Sequence, residues 1–204
     1  KTKNKKMISV IMPVRLTSYK TQAKEPIEKF KRAVLSVLNQ TYKDFELLII
    51  SDGCNIVEQN KIDHDHIKYF RIEHSGQGEA RNKGIQEAKG EIITYLDADD
   101  CYGKNHLKVI NKEFTENLDW FDFNDWILKN NTNFEERFIN IRNAGQCGTS
   151  NIAHKNIGVK WLKNTRYGYD DYFFIKSLIK KSGKNKRIIT PFYYVMHIPN
   201  KYDI

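Results

Sequence analysis

The first half of the chain alternates between short apolar runs and longer stretches in which apolar residues recur every three or four positions. The apolar runs are rich in β-branched residues and predict buried strands at 9–14, 45–53, 67–72 and 92–96. The helical spacing between them predicts one helix beginning near Pro26 and another over about 78–88. A third predicted helix has one apolar face, formed by Leu107, Ile110, Phe114 and Leu118. Strands alternating with helices are typical of a largely parallel sheet covered on both faces.

The second half has a less regular pattern. Residues 120–128 alternate enough to predict one strand, expected to be antiparallel, and 186–196 predict a last strand. Residues 143–149 are polar and contain glycine, which predicts a loop. A helix is predicted to begin at Asp170, with two carboxylates in its first turn. The whole pattern indicates an α/β fold with a mostly parallel central sheet and a smaller antiparallel part.

Length and composition favour one domain over 1–204, with halves at about 8–100 and 101–204. The chain has 204 residues, is 40% hydrophobic, and contains no Pro/Gly-rich linker. It does not begin with Met, so we expect that it could be cut from a longer protein. No apolar stretch approaches the roughly 20 residues needed to span a bilayer, and no signal peptide is recognised. Three cysteines without a C-x-x-C pair favour a reducing compartment and no structural zinc. We therefore expect a cytoplasmic protein without a transmembrane segment.

The charge balance suggests an anionic partner. The net charge is +9, from 34 Lys and Arg against 25 Asp and Glu. Such a surface suits nucleic acid, an anionic membrane, or an anionic substrate such as a nucleotide diphosphate. The lysines are scattered and do not form a basic stripe interleaved with aromatic residues, so nucleic acid is the least favoured partner. A peripheral contact with an anionic membrane remains one of the alternatives.

A group of acidic residues, Asp97-Ala98-Asp99-Asp100, follows the apolar run at 92–96. Carboxylates crowded at a strand end repel one another, and a divalent cation among them relieves that repulsion. Oxygen ligands of this kind suit Mg²⁺ or Mn²⁺, which in turn bind phosphate oxygens. The alternative is a capped turn, because Asp is a good helix N-cap and the following segment looks helical.

Two other predicted strands also end at candidate ligand-binding residues. Pro13 lies at the end of the first strand, and Asp52 precedes a glycine at the end of the second. In parallel sheets, ligands bind beyond the carboxyl ends of the strands. We therefore expect Pro13, Asp52 and the group Asp97–Asp99 to meet at one edge of the sheet.

These segments resemble those of the family 2 glycosyltransferases, inverting enzymes with the three-layer GT-A fold. The family pattern is an S-V-I-x-P strand, an Asp-Gly turn, an A-R-N-x-G helix and an L-D-x-D-D strand end. This chain has all four in that order, as Ser9-Val10-Ile11-Met12-Pro13, Asp52-Gly53, Ala80-Arg81-Asn82-Lys83-Gly84 and Leu96-Asp97-Ala98-Asp99-Asp100. The resemblance implies metal-dependent transfer of a sugar from a nucleotide-diphosphate sugar to an acceptor hydroxyl of a glycan or other compound.

The resemblance also implies roles in donor binding. Asp99 would bind Mn²⁺ or Mg²⁺, and Asp97 would hold the ribose or assist. UDP-glucose is the first choice of donor, although Arg15 and Leu16 depart from the family's Tyr-Asn and leave dTDP-sugars possible. The remaining predicted donor contacts are Pro13, Val14 and Arg15 under the base, Asp52 at its polar edge, Arg81 near the phosphates or base, and Gly78 and Ala98 beside them.

In the second half the resemblance is looser. The family has a Glu-Asp pair at the start of a helix, and here Asp170 replaces the Glu. The resemblance implies that Asp171 is the general base, with Asp170 as the alternative, and we expect the helix dipole to lower its pKa. The two carboxylates could instead only complement that dipole. His197 is a candidate third metal ligand, or else a structural or exposed histidine.

Two other functions remain as alternatives. A nucleotidyltransferase of similar fold would carry a Gly-rich basic loop after the first strand, and the segment Arg15-Leu16-Thr17-Ser18-Tyr19 has no glycine. A non-catalytic nucleotide-sugar-binding module would be favoured if Asp170 and Asp171 lay far from the donor residues.

Overall fold

The computed structural model describes residues 5–16, 25–129, 133–163, 169–188 and 193–196. The strands are β1 (Ile8–Val14), β2 (Phe45–Asp52), β3 (Ile67–Ile72), β4 (Ile92–Tyr95), β5 (Cys101–Tyr102), β6 (Trp120–Phe123), β7 (Asp125–Lys129), β8 (Asn133–Arg137), β9 (Ile152–His154), β10 (Asn185–Ile188) and β11 (Tyr193–Val195). The α-helices are α1 (Pro26–Leu38), α2 (Asn55–Gln59), α3 (Gln77–Glu87), α4 (His106–Glu113) and α5 (Asp170–Lys181), and a 3-10 helix spans Thr149–Asn151. None of the helices in these ranges combines the length and the hydrophobicity needed to cross a bilayer.

Seven strands form the main sheet, in the order β10-β6-β9-β4-β1-β2-β3. The strands β4, β1, β2 and β3 pair in parallel, whereas β9 is antiparallel to both β4 and β6. The strand β10 pairs in parallel with β6. The predicted mostly parallel sheet is therefore confirmed.

Helices cover both faces of this sheet, and the alternation of side chains along β1 shows why. Val10 and Met12 face a core shared with α1 and α4, whereas Ile11 faces a second core shared with α3 and α5. Both cores are apolar, so β1 is buried on both faces and its sequence is a continuous apolar run. The result is the predicted three-layer α/β/α arrangement.

The helix α1 begins and packs as its sequence predicts. Pro26 occupies the first turn, where its missing N–H costs no hydrogen bond. Phe30, Val34 and Val37 recur at helical spacing and are fully buried against the sheet.

Three predicted boundaries in the second half are wrong. The segment 120–128 is two strands, β6 in the main sheet and β7 in a second sheet of order β5-β11-β7-β8. The buried Asn124 makes the break between them, because its side chain donates to Glu136 at 3.0 Å and accepts from Arg187 at 2.6 Å. The segment 186–196 likewise contains β10 and β11 in different sheets. The third predicted helix ends at Glu113, before a turn in which the Leu118 N–H donates to the Thr115 carbonyl at 3.1 Å.

Candidate active site

The carboxyl ends of β1, β2 and β4 meet at one edge of the main sheet. Val14 pairs with Ser51 across β1 and β2, and Ile11 pairs with Tyr95 across β1 and β4. This register places Asp52 and Asp97 on either side of the end of β1. Pro13 is half-buried there, Val14 packs into the core, and Arg15 is exposed beyond it. The structure thus brings the predicted donor residues of the three strands together.

Asp52 is held in a pocket of hydrogen-bond donors. Its carboxylate accepts from the backbone N–H of Ser75 at 2.7 Å and of Gly76 at 3.1 Å, and from His74 Nδ1 at 2.9 Å. The adjacent Gly53 has φ of +66°, and a Cβ there would lie 2.9 Å from the His74 backbone nitrogen. The glycine therefore permits both the turn and the close approach of His74.

His74 adds a functional candidate that sequence reasoning missed. Its ring contacts the Arg15 guanidinium as well as the Asp52 carboxylate. The only sequence signal was its position directly before the Ser75-Gly76 turn. The three side chains form one polar group at the end of β1 and β2.

Arg81 connects the two halves of the chain. It is 1% exposed, and its Nη2 lies 3.2 Å from Asp97 Oδ1 while its Nη1 lies 3.2 Å from Asp170 Oδ2. Its guanidinium also stacks over the Trp161 ring, 4.6 Å from the ring centroid. Burial opposes the charged form, but Asp97, Asp171 and Asp170 outweigh it and hold the pKa of Arg81 above its ordinary value. The predicted approach of Arg81 to a diphosphate stays a prediction.

The rest of the A-R-N-x-G segment positions Arg81. Asn82 clamps the backbone of Trp161, accepting from its N–H at 2.8 Å and donating to its carbonyl at 3.0 Å. At Gly84 a Cβ would lie 2.4 Å from the Ile11 side chain, so glycine allows α3 to pack closely on β1. At Gly78 a Cβ would lie 2.5 Å from the Leu162 carbonyl oxygen. Gly78, predicted beside the donor, is thus also required for packing.

Asp170 and Asp171 have different surroundings at the start of α5. Asp170 is 3% exposed. Its carboxylate pairs with the Arg81 guanidinium and accepts a hydrogen bond from the side-chain amide of Gln77. Asp171 is only partly buried and accepts a hydrogen bond from the Thr149 hydroxyl. Asp170 is therefore engaged within the protein, and the role of Asp171 as the general base stays a prediction.

The expected lowering of the Asp171 pKa is wrong. Burial, with the charges of Asp170 and Asp97, raises the pKa of Asp171 to about 7, although Arg81 and Thr149 act in the opposite direction. Desolvation and like charges therefore outweigh the helix dipole. A carboxylate with a pKa near neutrality is well matched to general base catalysis.

Hydrogen bonds connect the acidic segment Asp97–Asp100 to β11 and the residue that follows it. Asp100 is buried and accepts from the Tyr193 hydroxyl at 2.8 Å and from the Met196 N–H at 2.7 Å. The Asp97 N–H donates to the same hydroxyl at 3.2 Å. The chain makes a turn here, in which the Asp100 N–H donates to the Asp97 carbonyl at 3.1 Å, and then continues into β5. The turn of the alternative is therefore present, but none of these aspartates lies at the N-cap position of α4, which is Asn105.

Asp97 and Asp99 are the two carboxylates predicted to bind a cation, and this role stays a prediction. The Asp97 side chain is about one-third exposed, and Asp99 is half-buried, with its backbone carbonyl accepting from Arg32 Nη2 at 2.6 Å. Ala98 is half-buried between them. The described residues contain no group of three His, Cys, Asp or Glu side chains placed to hold a metal. His197, the predicted third ligand, lies outside the described residues, directly after Met196 in the sequence. The carboxylates fit a hard divalent cation in their chemistry.

Comparison with known proteins identifies the family of this architecture. Residues 9–183 match the sequence model of glycosyl transferase family 2. The UDP-Glc:alpha-D-GlcNAc-diphosphoundecaprenol beta-1,3-glucosyltransferase WfgD of Escherichia coli is 29% identical over 160 residues, which are 76% of this chain and 58% of WfgD.

Two solved structures share the fold. The S. aureus TarS 1-349 complex with UDP-GlcNAc superimposes with a TM-score of 0.71 at 17% identity, covering 96% of this chain and 60% of TarS. The mannosyltransferase PcManGT from Pyrobaculum calidifontis, in complex with GDP-Man and Mn²⁺, gives a TM-score of 0.65 at 14% identity, covering 97% of this chain and 59% of PcManGT. The expected GT-A fold is confirmed.

The chain is shorter than its relatives. A match with a curated glycosyltransferase from Rickettsia conorii, at 43% identity over 89 residues, covers 42% of this chain and 15% of that protein. The match with the family over 9–183 nevertheless includes all the site residues named above except Tyr193, Met196 and His197.

Proposed function

The chain belongs to glycosyl transferase family 2, and from this premise we propose that it moves a sugar from a UDP-sugar to an acceptor hydroxyl with inversion. UDP-glucose is the first choice of donor, and a divalent cation, Mn²⁺ or Mg²⁺, is the proposed cofactor. The family match removes the nucleotidyltransferase alternative.

The single observation that supports a catalytic site most strongly is the bridge through Arg81. One guanidinium lies 3.2 Å from a carboxylate of the donor half and 3.2 Å from a carboxylate of the acceptor half. The proposed base, Asp171, is the residue next to Asp170 on α5. A non-catalytic module would not need a second carboxylate at that point.

The donor proposal rests on the polar group at the end of β1 and β2. Asp52 is fixed by two backbone N–H groups, so its carboxylate can serve as an oriented acceptor for a base N–H. Arg15 is exposed at the same edge, where a base or ribose would lie over Pro13 and Val14. WfgD is named for UDP-Glc and TarS is bound to UDP-GlcNAc, whereas PcManGT is bound to GDP-Man. We therefore place UDP-sugars first.

Asp99 and Asp97 would hold the cation, with His197 as the proposed third ligand. A cation bound there would stabilise the negative charge of the leaving diphosphate. Asp97 is also paired with Arg81 at 3.2 Å, which fixes the orientation of this carboxylate.

The proposed reaction is a single displacement. The acceptor oxygen forms a bond to the anomeric carbon while the bond from that carbon to the diphosphate oxygen breaks. The acceptor proton passes to the Asp171 carboxylate, and UDP leaves with the electron pair of the broken bond. Attack from the face opposite the diphosphate inverts the anomeric configuration.

The acceptor is proposed to be a hydroxyl of a glycan or similar compound, with peripheral membrane contact possible and nucleic acid not expected. All three cysteines are free thiols, which supports the proposal of a cytoplasmic, reducing location.

The test is donor turnover with water as the acceptor, which does not require the natural acceptor. The protein is incubated with UDP-α-glucose and Mn²⁺, with EDTA as the control, and UDP release is measured. Proton NMR then identifies the first anomer of free glucose. We expect Mn²⁺-dependent release with β-glucose formed first. Release of α-glucose first would contradict inversion, and no release from any UDP- or dTDP-sugar would contradict the proposed function.

A further inference from the structure

We propose that Thr149 is a positioning residue for the Asp171 carboxylate, and that the 3-10 helix Thr149–Asn151 fixes the base relative to the donor. This inference rests on the proposed function, since it takes Asp171 as the base. It concerns a residue that none of the four family motifs in the first half of the chain contains.

The contact joins a buried hydroxyl to a partly buried carboxylate. Thr149 is 3% exposed, and its hydroxyl donates to Asp171 Oδ1. The neighbouring Asp170 is held by Arg81 and Gln77 instead. With Oδ1 occupied by a hydroxyl that donates, Oδ2 of Asp171 is the oxygen left to accept the proton of an acceptor.

Thr149 is itself fixed by the second sheet. Asn151 is fully buried, accepts from the Gly148 N–H at 3.1 Å, and donates through Nδ2 to Asp125 Oδ2 at 3.0 Å. Asp125, at the start of β7, is also fully buried. Its carboxylate accepts hydrogen bonds from Arg137 Nε at 2.8 Å and Nη2 at 2.5 Å. A continuous series of hydrogen bonds therefore runs from Arg137 on β8 to the 3-10 helix that carries Thr149.

The 3-10 helix is held from its other end as well. The carbonyl of Ile152, directly after it, accepts from the Thr94 hydroxyl of β4 at 3.1 Å. Thr149 thus lies between two sheets that both fix the backbone around it, which is the condition for a side chain to orient another.

Within the described ranges, the charged groups that act on the pKa of Asp171 come from several elements. They are Asp170 on the same helix, Arg81 on α3, and Asp97 after β4. Cys147, just before the 3-10 helix, is neutral at ordinary pH, because burial raises the pKa of its thiol to about 12. The Thr149 hydroxyl is also neutral, so removing it changes the stabilisation of the Asp171 carboxylate without changing any of these charges.

The experiment compares Thr149→Val, which removes the hydroxyl, with Thr149→Ser, which keeps it. Thr41→Val is the matched control, since the Thr41 hydroxyl donates to Asn105 at 2.8 Å on an exposed surface away from the site. UDP release from UDP-glucose with Mn²⁺ is measured from pH 5 to 9, and UDP-glucose binding is measured by calorimetry. A hydrogen bond to the ionised form lowers a pKa, so its loss raises the pKa of Asp171.

We expect Thr149→Val to lower kcat at pH 7 about tenfold and to move the acid limb of the pH profile upward by about one pH unit. Donor affinity should stay within about twofold, and Thr149→Ser and Thr41→Val should resemble the wild type. Wild-type turnover with an unchanged profile in Thr149→Val would overturn the inference while leaving the proposed function intact. Absence of wild-type turnover would instead contradict the proposed function itself.

A second variant tests the same role if Thr149→Val fails to fold. Thr149→Ala removes the same hydroxyl with a smaller side chain, and it should show the same kcat loss and pH displacement. If both variants lose their thermal unfolding transition, Thr149 is structural and the positioning role is wrong.

Discussion

At Arg81, one guanidinium is shared between carboxylates from two distant parts of the sequence. It pairs with Asp97 and Asp170, and the charge of Asp171 acts on it as well. One positive charge cannot balance three ionised carboxylates in a largely buried site. The pKa of Asp171 therefore rises to about 7, with burial as the largest cause. These different surroundings support the proposal that Asp170 orients Arg81 while Asp171 exchanges a proton.

Replacing Asp171 by Asn should remove the base and leave the donor site in place. We expect UDP release to fall about 100-fold or more, since general base catalysis typically contributes that much. UDP-glucose affinity by calorimetry should be unchanged. The exposed Asp63→Asn is the matched control and should retain full activity. Full activity in Asp171→Asn would show that the acceptor half has been assigned wrongly.

The raised pKa of Asp171 also predicts a change in stability with pH. A carboxyl whose pKa is higher in the folded protein favours folding below its unfolded pKa, and that contribution is lost as pH rises toward about 7. Asp171→Asn should therefore be more stable than the wild type at pH 8, by about 1 kcal/mol. The difference should shrink toward pH 4. Chemical denaturation at both pH values measures it, and a pH-independent difference, or a less stable variant at pH 8, would contradict the assigned pKa.

At the scale of elements, α3 and the segment around Trp161 act as one support for the site. Trp161 stacks on Phe174 of α5 with ring centroids 3.9 Å apart, and its other neighbours include Asn82 and Arg81 of α3. The start of α3 and the start of α5 are thus held together through one aromatic residue. Close backbone contact at Gly78 completes this arrangement, because the Leu162 carbonyl occupies the space of a side chain.

Gly78→Ala tests that close contact. The added Cβ would lie 2.5 Å from a backbone oxygen, so helix and segment must separate. We expect a loss of about 1–3 kcal/mol in the free energy of unfolding, measured by denaturant titration. Gly183→Ala is the control, since a Cβ at Gly183 would meet nothing within 4 Å and the residue does not have a left-handed backbone conformation. Equal stability of the two variants would mean that Gly78 is not a packing position.

At the scale of the whole molecule, the first half of the fold followed from local pattern. The strands β1, β2 and β4 are continuous apolar runs because they are buried on both faces, and each ends near its predicted residue. The break at Asn124 was not predictable in this way, because the apolar alternation of 120–128 is the same for one strand as for two in different sheets. Its cause is a set of partners, Glu136 and Arg187, that only the folded chain brings together.

The candidate site likewise combines residues that the sequence predicts with contacts that only the folded chain creates. The residues at strand ends follow from parallel topology and were predicted from the sequence. The hydrogen bonds of His74 with Asp52 and of Thr149 with Asp171 join residues 22 positions apart in each case and carry no periodic signal. The pKa of Asp171 depends on burial and on charges from three elements, which explains why the local helix-dipole argument failed.

A cation-dependent donor site at the ends of β1, β2 and β4 is the feature on which the proposed reaction depends most. Calorimetric titration of UDP-glucose with Mn²⁺ into the wild type and into Asp99→Asn tests it directly, with GDP-mannose and EDTA as comparisons. We expect Mn²⁺-dependent binding of UDP-glucose by the wild type, at least roughly tenfold weaker binding by Asp99→Asn, and unaltered thermal stability of that variant without ligand. Equal Mn²⁺-dependent affinity in both proteins, or a preference for GDP-mannose, would contradict the proposed donor site.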